Sequence, residues 1–210
     1  MQKLVVFDLD GTLNQTKLYA LEATRQALAQ LGAARFTDEE ICAQFGARPA
    51  DYVRYYFPDG DEALFQKFLR QEALLEDQLM EERGRAFDGA RESMEALRRD
   101  GFCLAVCSNS SARYINRVLG AIGLAELVDE IQPLLPGMDK GQTLGLLLDR
   151  LRPDRAVMVG DRVYDKEAAR ANRLPFIGCA YGYNADEIMD ADRVAHHAGE
   201  LSRLVMELIG

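Results

Sequence analysis

Lysine, cysteine and histidine are scarce in this sequence, and long apolar runs are missing. Lysine occurs at only five of 210 positions, which are Lys3, Lys17, Lys67, Lys140 and Lys166. Acidic residues outnumber basic ones, and a net charge of −9 argues against a general nucleic-acid-binding surface or an anionic-membrane surface. We therefore expect neither nucleic acid nor membrane as a partner.

The four cysteines, Cys42, Cys103, Cys107 and Cys179, do not have the paired spacing of a metal site. Cys103 and Cys107 lie in an apolar run, and we expect them to be reduced core residues. No apolar stretch reaches membrane-spanning length, and no signal peptide precedes the first apolar run. These features predict a cytoplasmic protein.

An apolar run, rich in β-branched residues, opens the chain and ends in two aspartates, Asp8 and Asp10, followed by Gly-Thr. Such a run is typical of a buried strand in a parallel sheet, and ligands bind at the carboxyl ends of these strands. Two carboxylates so close together repel each other unless a cation offsets their charge. The pattern favours a divalent metal with oxygen ligands. The alternative is an ordinary Asp-Gly turn after a strand.

Helical periodicity follows for about seventy residues, and from Phe87 onward strands alternate with helices. We therefore predict an α/β fold, a Rossmann-like parallel sheet with helices on both faces. Residues 1–14 and 84–210 would form this core domain. Residues 15–83 would form a separate, small, all-helical domain.

Polar residues follow two further predicted strands, and a lysine follows a weaker one. Ser108 and Asn109 precede a helix, where hydroxyls and free N–H groups can hold phosphate; a serine-rich helix cap is the alternative. Lys140 stands in a first helical turn, an unfavourable place unless its ammonium faces an anion. Asp161 and Asp165 lie one helical turn apart and suit Mg²⁺, although acidic residues also stabilise a helix start.

The segment Asp8-Leu9-Asp10-Gly11-Thr12-Leu13 resembles the opening motif of the haloacid-dehalogenase-like (HAD) phosphohydrolase superfamily. The resemblance implies that Asp8 is the nucleophile and a metal ligand. It implies that Asp10 is the general acid and base, with its backbone carbonyl on the metal.

The later motifs of that family correspond in order to the other strand ends. The resemblance implies that Ser108, with Asn109 beside it, binds phosphate, and that Lys140 holds the nucleophile and the phosphoryl group. It implies that Asp161 and Asp165 complete a Mg²⁺ site. Gly141 stands where relatives often have proline after the lysine.

The helical segment falls where this family carries its C1 cap. The segment Tyr181-Gly182-Tyr183-Asn184 is similar to one in the phosphoglycolate-phosphatase-like group, with Asn184 in place of a glycine. Gln15-Thr16 stands where relatives commonly have Asp-Ser. Because these positions lie at the cap hinge, the departure affects the expected substrate more than the expected chemistry.

The resemblance implies a Mg²⁺-dependent phosphatase that hydrolyses a small phosphate monoester, phosphoglycolate-like or a sugar phosphate, through an aspartyl-phosphate. The partner would be a small phosphorylated metabolite. One alternative is a phosphomutase or phosphotransferase of the β-phosphoglucomutase type. Another is a catalytically silent binding or regulatory module. The sequence predicts neither the substrate itself nor the oligomeric state.

Three other features invite comment. We expect Arg48, in a loop of the helical segment, to reach a second anionic group of the substrate. We expect the aromatic cluster at residues 52–57 to be core and surface rather than a binding platform. His196 and His197 are interpreted as a solvated loop, with metal binding as the alternative.

Overall fold

The fold is a six-stranded parallel sheet flanked by helices, and the computed structural model describes residues 2–210. The strand order is β3-β2-β1-β4-β5-β6, which confirms the predicted fold class. The strands are β1 Lys3–Phe7, β2 Phe102–Cys107, β3 Glu130–Gln132, β4 Arg155–Gly160, β5 Phe176–Cys179 and β6 Arg193–Ala195.

Nine α-helices lie within residues 2–210, and several begin at residues whose side chains cap a helix. Thr37 forms a capping box with Glu40, and Asp61 accepts a hydrogen bond from the backbone N–H of Leu64. The helices are α1 Lys17–Gln30, α2 Asp38–Cys42, α3 Pro49–Tyr56, α4 Glu62–Arg83, α5 Ala90–Arg99, α6 Ala112–Ala121, α7 Lys140–Leu151, α8 Val163–Ala171 and α9 Leu201–Ile209. None of the helices in this range combines the length and apolar content that a membrane crossing requires.

The sheet buries both of its faces, as the unbroken apolar strand sequences predict. In β1, Val5 and Phe7 pack into one apolar cluster, while Leu4 and Val6 pack into a second cluster on the opposite face. All four side chains are fully buried. This alternation follows from the period of two along a strand. It anchors the central strand firmly between two helical layers.

The strand order changes direction next to β1. From β1 the chain builds β2 and β3 on one side, and then returns to build β4, β5 and β6 on the other. The carboxyl ends of β1 and β4 therefore border the crevice in which open α/β sheets bind ligands. Both strands end in residues that the sequence analysis selected, Asp8 after β1 and Asp161 after β4.

The helices α1 to α4 pack together, with the longest contact between α1 and α4. The chain leaves the sheet and returns to it at adjacent points. The backbone N–H of Gln15 donates to the carbonyl of Arg85 at 3.0 Å, and the Gln15 side chain donates to the carbonyl of Ala86 at 2.8 Å. The division into a core and a cap formed by residues 15–83 stays a prediction.

Two elements, β6 and α9, were not predicted from the sequence, and two others have ends set by local backbone geometry. Ala125–Leu127 forms a 3₁₀ turn, so β3 begins only at Glu130. Helix α8 ends at Ala171, and Arg173 shortly after it has φ of 56°. Strand β6 has only three residues, which is too short for a recognisable sequence pattern. Helix α9 lies beyond the last motif, and the sequence analysis did not assign it.

Candidate active site

Asp8 and Lys140 form a buried ion pair at the end of β1. The backbone N–H of Asp8 donates to the carbonyl of Val159 at 2.8 Å, so the β1–β4 ladder holds this residue in position. Lys140 Nζ lies 2.5 Å from Asp8 Oδ1 and 2.5 Å from Asp165 Oδ1. All three side chains are at most 4% exposed. The structure thus brings together residues that are far apart in the sequence.

Lys140 reaches this position because a capping box starts α7. Asp139 accepts a hydrogen bond from the backbone N–H of Gln142 at 2.8 Å, and the Gln142 side chain accepts one from the backbone of Asp139 at 2.9 Å. Burial opposes the ammonium charge, but Asp165 and Asp8 more than offset this effect and raise the pKa of Lys140. Lys140 is therefore a fixed cation in the site.

Asp8, Asp161 and Asp165 each offer a carboxylate oxygen, and these oxygens lie within 4.8 Å of one another. One lysine does not balance three buried carboxylates, so the cluster has a deficit of positive charge. An all-oxygen donor set of this kind fits a hard divalent cation such as Mg²⁺. The carboxylate of Asp10 is not part of this cluster.

Two glycines make room for the carboxylate of Asp161. A Cβ atom at Gly11, which has φ of 83°, would overlap the Asp161 carboxylate, and a Cβ atom at Gly182 would overlap the same side chain. The backbone N–H of Tyr183 donates to Asp161 Oδ2 at 2.9 Å, and Thr12 Oγ1 donates to Oδ1 at 3.3 Å. The Gly-Thr and Tyr-Gly-Tyr sequences therefore shape the pocket around this carboxylate.

Burial changes the acidity of the aspartates. Burial and the charge of Asp165 raise the pKa of Asp8 to about 7, although Lys140 opposes the shift. Burial and the charges of Asp8 and Asp165 raise the pKa of Asp161 well above its usual range. These shifts measure how poorly the protein alone compensates the carboxylates, which is the condition that a bound cation relieves.

Ser108 and Asn109 follow β2, and each is at most 4% exposed. The backbone N–H of Ser108 donates to the carbonyl of Gln132 at 3.1 Å, which fixes this strand end. Ser111, and not Ser108, caps α6 by accepting a hydrogen bond from the backbone of Tyr114 at 3.3 Å. The Ser108 hydroxyl is therefore not used as a helix cap, and it accepts a hydrogen bond from the backbone of Ser110 at 3.2 Å.

Asp10 lies in a hydrogen-bond network that the sequence analysis did not predict. Its Oδ1 accepts hydrogen bonds from Asn14 Nδ2 at 2.9 Å, Thr16 Oγ1 at 2.7 Å and the Tyr114 hydroxyl at 3.0 Å. The Tyr19 hydroxyl lies 3.0 Å from that of Tyr114. Thr16 is one of the positions at which the opening motif departs from its relatives. The departure at Thr16 was the feature of the sequence that could have indicated a hydrogen bond to Asp10.

The network leaves the second carboxylate oxygen of Asp10 free. Within residues 2–210, Asp10 Oδ2 accepts no hydrogen bond from a protein donor. Burial raises the pKa of Asp10, although the hydrogen bonds from Thr16, Asn14 and Tyr114 oppose the shift. Asp10 is thus held in one orientation with an accessible oxygen and an increased affinity for a proton.

A cavity of about 300 Å³ lies between Asp10 and the helices α3 and α4, and we call it the Asp10 cavity. Its lining includes Asp10, Tyr52, Glu72, Glu76, Asn109 and Tyr114. The loop before α3 borders it and is held in place by two contacts: Asn109 Nδ2 donates to the carbonyl of Gly46 at 3.0 Å, and the Arg162 guanidinium donates to the carbonyl of Phe45.

Glu72 and Glu76 were not selected from the sequence. They lie on α4, on the helical face that also presents Phe68, Leu69 and Met80. They interrupt the apolar stripe of this helix, and that interruption was the feature of the sequence that could have identified them. Burial raises the pKa of Glu72 to about 7, and burial, Glu72 and Asp10 raise that of Glu76 well above its usual range.

Arg48 does not line the Asp10 cavity among the residues described. Arg48 Nε lies 2.7 Å from Asp51 Oδ2, and the Arg48 side chain is 47% exposed. It lines a separate cavity of about 250 Å³ together with Asn109 and Lys140. The contact of Arg48 with a second anionic group of the substrate stays a prediction. Such a group would have to lie in the cavity beside Lys140 and not in the Asp10 cavity.

The remaining features have ordinary structural roles. Tyr56 is buried, and its ring packs edge-on against those of Tyr52 and Phe36. His196 and His197 are exposed, and His197 lies 3.8 Å from Glu200. The cysteines are free thiols, and Cys107 and Cys179 are buried.

Comparison with known proteins identifies the family. The sequence profile of the haloacid dehalogenase-like hydrolases matches residues 5–179. A phosphoglycolate phosphatase of Nitrosospira multiformis is 30% identical, over 98% of this chain and 96% of that protein. The structure of a predicted phosphatase from Clostridium acetobutylicum covers 99% of this chain and all of its own, with a TM-score of 0.89 and 23% identity.

A second solved structure has the same fold. It is a predicted phosphoglycolate phosphatase from Haemophilus somnus 129pt, with a TM-score of 0.88 and 21% identity, over 97% of this chain and 98% of that one. The family profile covers most of the chain, including the end of β1, all of β2 and β4, and the residues that follow these strands. The chain belongs to the haloacid dehalogenase-like hydrolase family and is an enzyme of its phosphatase type.

Proposed function

We propose that this enzyme hydrolyses a small phosphate monoester in two steps through an aspartyl-phosphate on Asp8, with Mg²⁺ as its cofactor. The observation that carries the proposal is the buried group of Asp8, Asp161 and Asp165 beside Lys140. Three carboxylates around one point and a single cation suit a site that takes up a divalent metal and an anionic substrate.

In the first step, a carboxylate oxygen of Asp8 attacks phosphorus, and the bond between phosphorus and the ester oxygen breaks. Lys140, 2.5 Å from Asp8, orients the nucleophile and offsets charge on the phosphoryl oxygens. Asp10 donates its proton to the departing alkoxide. The raised pKa of Asp10 supports this role, because burial increases the affinity of this carboxyl for the proton that the leaving group needs.

In the second step, Asp10 takes a proton from a water molecule, and the water oxygen attacks phosphorus. The bond between phosphorus and Asp8 breaks, which releases inorganic phosphate and restores both aspartates. The hydrogen bonds from Asn14, Thr16 and Tyr114 keep Oδ1 of Asp10 in place, so that Oδ2 can perform both proton transfers.

The phosphoryl group would be held by Ser108, the backbone N–H of Asn109 and Lys140, which follow β2 and start α7. Asp8, Asp161 and Asp165 would hold Mg²⁺, together with the backbone carbonyl of Asp10. Bound Mg²⁺ supplies charge neutralisation for the phosphoryl oxygens. The cap formed by residues 15–83 would exclude bulk water from the reaction.

The substrate is proposed as a small phosphorylated metabolite, phosphoglycolate-like or a sugar phosphate. The name of the Nitrosospira multiformis relative, phosphoglycolate phosphatase, supports the first class. A cavity of about 300 Å³ is at the lower end of the size range of small-molecule sites, which supports a small leaving group. The free thiols support a reducing compartment, and we propose the cytoplasm.

The test is hydrolysis of p-nitrophenyl phosphate by purified protein that has been stripped of metal. We expect activity to appear with Mg²⁺, to disappear with excess chelator and to be lost in Asp161→Asn. Full activity of the stripped enzyme in excess chelator would contradict the metal site. Absence of activity on any phosphate ester with Mg²⁺ would contradict the proposed function.

A further inference from the structure

The charged lining of the Asp10 cavity is entirely acidic. Asp10, Glu72 and Glu76 are its acidic residues, and among residues 2–210 its lining includes no lysine and no arginine. The other polar groups are neutral, among them Tyr52, Asn109 and Tyr114. Since the leaving group must sit on the Asp10 side of the phosphorus, this cavity is where its substituents would lie.

Glu76 is the acid with a free side chain. Glu72 accepts a hydrogen bond from Thr24 Oγ1 at 2.7 Å and another from the Tyr52 hydroxyl. No hydrogen bond or ion pair involves the Glu76 carboxyl among residues 2–210, although Glu72 lies four residues before it on the same helix. Within the described lining no cation lies near these two acids, so a second anion in the cavity would have no positive charge to pair with.

Asn109 contributes an independent observation. It is 4% exposed, and its Nδ2 donates to the carbonyl of Gly46 at 3.0 Å, which assigns the other side-chain atom as oxygen. That buried oxygen, Oδ1, has no hydrogen-bond partner within the described chain, and the residue lines the Asp10 cavity. A buried acceptor without a donor fits a ligand that brings hydroxyl groups, and it disfavours an anion.

We propose that the Asp10 cavity selects phosphate esters whose leaving group carries hydroxyl groups and no second negative charge, with Glu76 and Asn109 as the residues that bind those hydroxyl groups. The substrate class is then a polyol or sugar monophosphate rather than a carboxylated ester such as phosphoglycolate. The free oxygens of Glu76 and Asn109 bind hydroxyl groups, while a carboxylate would enter a cavity whose lining, among residues 2–210, offers no cation to offset its charge. This inference rests on the proposed function and narrows it.

Arg48 does not alter this conclusion. A cation that bound a second anionic group would have to lie in the same cavity as the leaving group. Arg48 pairs with Asp51 and lines the other cavity, beside Lys140. Within the described chain, the lining of the Asp10 cavity thus has no cation that could bind a second anionic group.

The experiment compares ester pairs that share a carbon skeleton, using the wild-type enzyme with Mg²⁺. The pairs are glycerol 3-phosphate with 3-phosphoglycerate, and 2-hydroxyethyl phosphate with 2-phosphoglycolate. We expect kcat/KM to be at least about tenfold higher for the uncharged member of each pair, since a carboxylate placed in a cavity without a cation loses hydration that nothing there replaces. A smaller ratio, or preference for the carboxylated member, would overturn the proposal.

An ester with an ammonium group tests whether the cavity prefers an uncharged leaving group to a cationic one. Phosphoethanolamine has a leaving group of similar size with a positive charge, which the three acids of the cavity could attract. We expect glycerol 3-phosphate to have the higher kcat/KM. The reverse order would mean that the cavity takes a cationic leaving group.

The variant Glu76→Met removes the free carboxyl oxygens and keeps a side chain of similar size. We expect the ratio of kcat/KM for glycerol 3-phosphate to that for p-nitrophenyl phosphate, which has no hydroxyl on its leaving group, to fall by about three- to tenfold. Glu82→Met is the matched control, because Glu82 is an exposed residue on the same helix. An unchanged ratio in Glu76→Met would remove Glu76 from its assigned role.

Failure of this inference can be distinguished from failure of the proposed function. Hydrolysis of p-nitrophenyl phosphate with Mg²⁺ tests the proposed function, whichever ester pair member is preferred. If that hydrolysis occurs and carboxylated esters are preferred, only the substrate class is wrong. If the enzyme hydrolyses no ester, the proposed function fails.

Discussion

Asp8 and Asp10 are two residues apart in the sequence but have different surroundings. Asp8 faces Lys140, Asp161 and Asp165, whereas Asp10 faces neutral donors from Asn14 and Thr16. Burial raises the pKa of both carboxyls, and the shift is opposed by the charge of Lys140 at Asp8 and by hydrogen bonds from Thr16, Asn14 and Tyr114 at Asp10. Different environments of two carboxylates are how acid and nucleophile roles are separated.

Substitution of these two aspartates should have unequal effects. We expect Asp8→Asn to reduce kcat to the uncatalysed background, because it removes the nucleophile. Asp10→Asn should reduce kcat by roughly 10²–10⁴-fold, the usual contribution of general acid and base catalysis. Steady-state kinetics with p-nitrophenyl phosphate gives both values, and exposed Asp100→Asn is the control. Equal, mild losses in both variants would show that the roles are wrongly assigned.

Gly11 and Gly32 both have positive φ, at 83° and 72°, but only Gly11 lies against a side chain. We expect Gly32→Ala to lower the free energy of unfolding by about 1–2 kcal/mol, the cost of the left-handed conformation. Gly11→Ala should cost roughly 2–5 kcal/mol, because its Cβ also overlaps the Asp161 carboxylate. Urea unfolding measures both. Equal losses would mean that the site around Asp161 is loosely packed.

At the scale of elements, strand ends were predictable and the contacts between elements were not. The residues after β1, β2 and β4 could be selected because apolar runs mark strands, and parallel strands end at one edge. Lys140 could be selected because a lysine is unfavourable in a first helical turn. The fold class could be predicted for a similar reason, because each of these strands and helices has its own local pattern, and the structure confirms it.

The network around Asp10 could not be predicted, because it joins residues from different elements. Tyr114 comes from α6, while Asn14 and Thr16 come from the connection to α1. Nothing local to Tyr114 indicates that its hydroxyl meets a carboxylate 104 positions away. The Glu72 and Glu76 positions were different, since acids within the apolar stripe of α4 were visible in the sequence.

Helix α4 should make stability depend on pH through Glu72. Its pKa in the folded protein is raised to about 7, from an ordinary value of 4.5. The stability it contributes is therefore present below pH 4.5 and is lost as pH rises through about 7. Glu72→Gln keeps an acceptor for Thr24 and Tyr52 but does not titrate.

We expect Glu72→Gln to reduce the fall in Tm between acidic and alkaline pH by roughly 2–6 °C. Circular dichroism melts of metal-free protein at pH 5 and pH 8 measure it. Glu82→Gln, an exposed position on the same helix, should keep the wild-type difference. If both variants keep it, the burial of Glu72 does not limit stability.

At the scale of the whole molecule, an acidic protein is proposed to act on an anionic substrate. The net charge is −9, yet Lys140 is buried among the site carboxylates. The electrostatic potential at the site must therefore be positive, although the protein as a whole is negative. Lys140 and a bound divalent cation would together produce it. The metal should then contribute to stability as well as to activity.

Mg²⁺ should stabilise the protein more at alkaline than at acidic pH. Burial and Asp165 raise the pKa of Asp8 from 3.8 to about 7, so the metal-free site loses stability as pH rises through 7. The metal binds the ionised form. Saturating Mg²⁺ should raise Tm by roughly 5–10 °C at pH 8 and by less at pH 5. Asp161→Asn should abolish the rise, and a larger rise at pH 5 would contradict this linkage.

The measurement that tests the central proposal most directly is the trapping of the covalent intermediate. Wild-type enzyme is mixed with p-nitrophenyl phosphate and Mg²⁺, quenched in acid within one turnover, digested and analysed by mass spectrometry. We predict one phosphoryl group on Asp8 in the peptide that contains β1, and none in Asp8→Asn. A phosphoryl group on another residue, or turnover with no phosphorylated peptide at any quench time, would contradict the proposal.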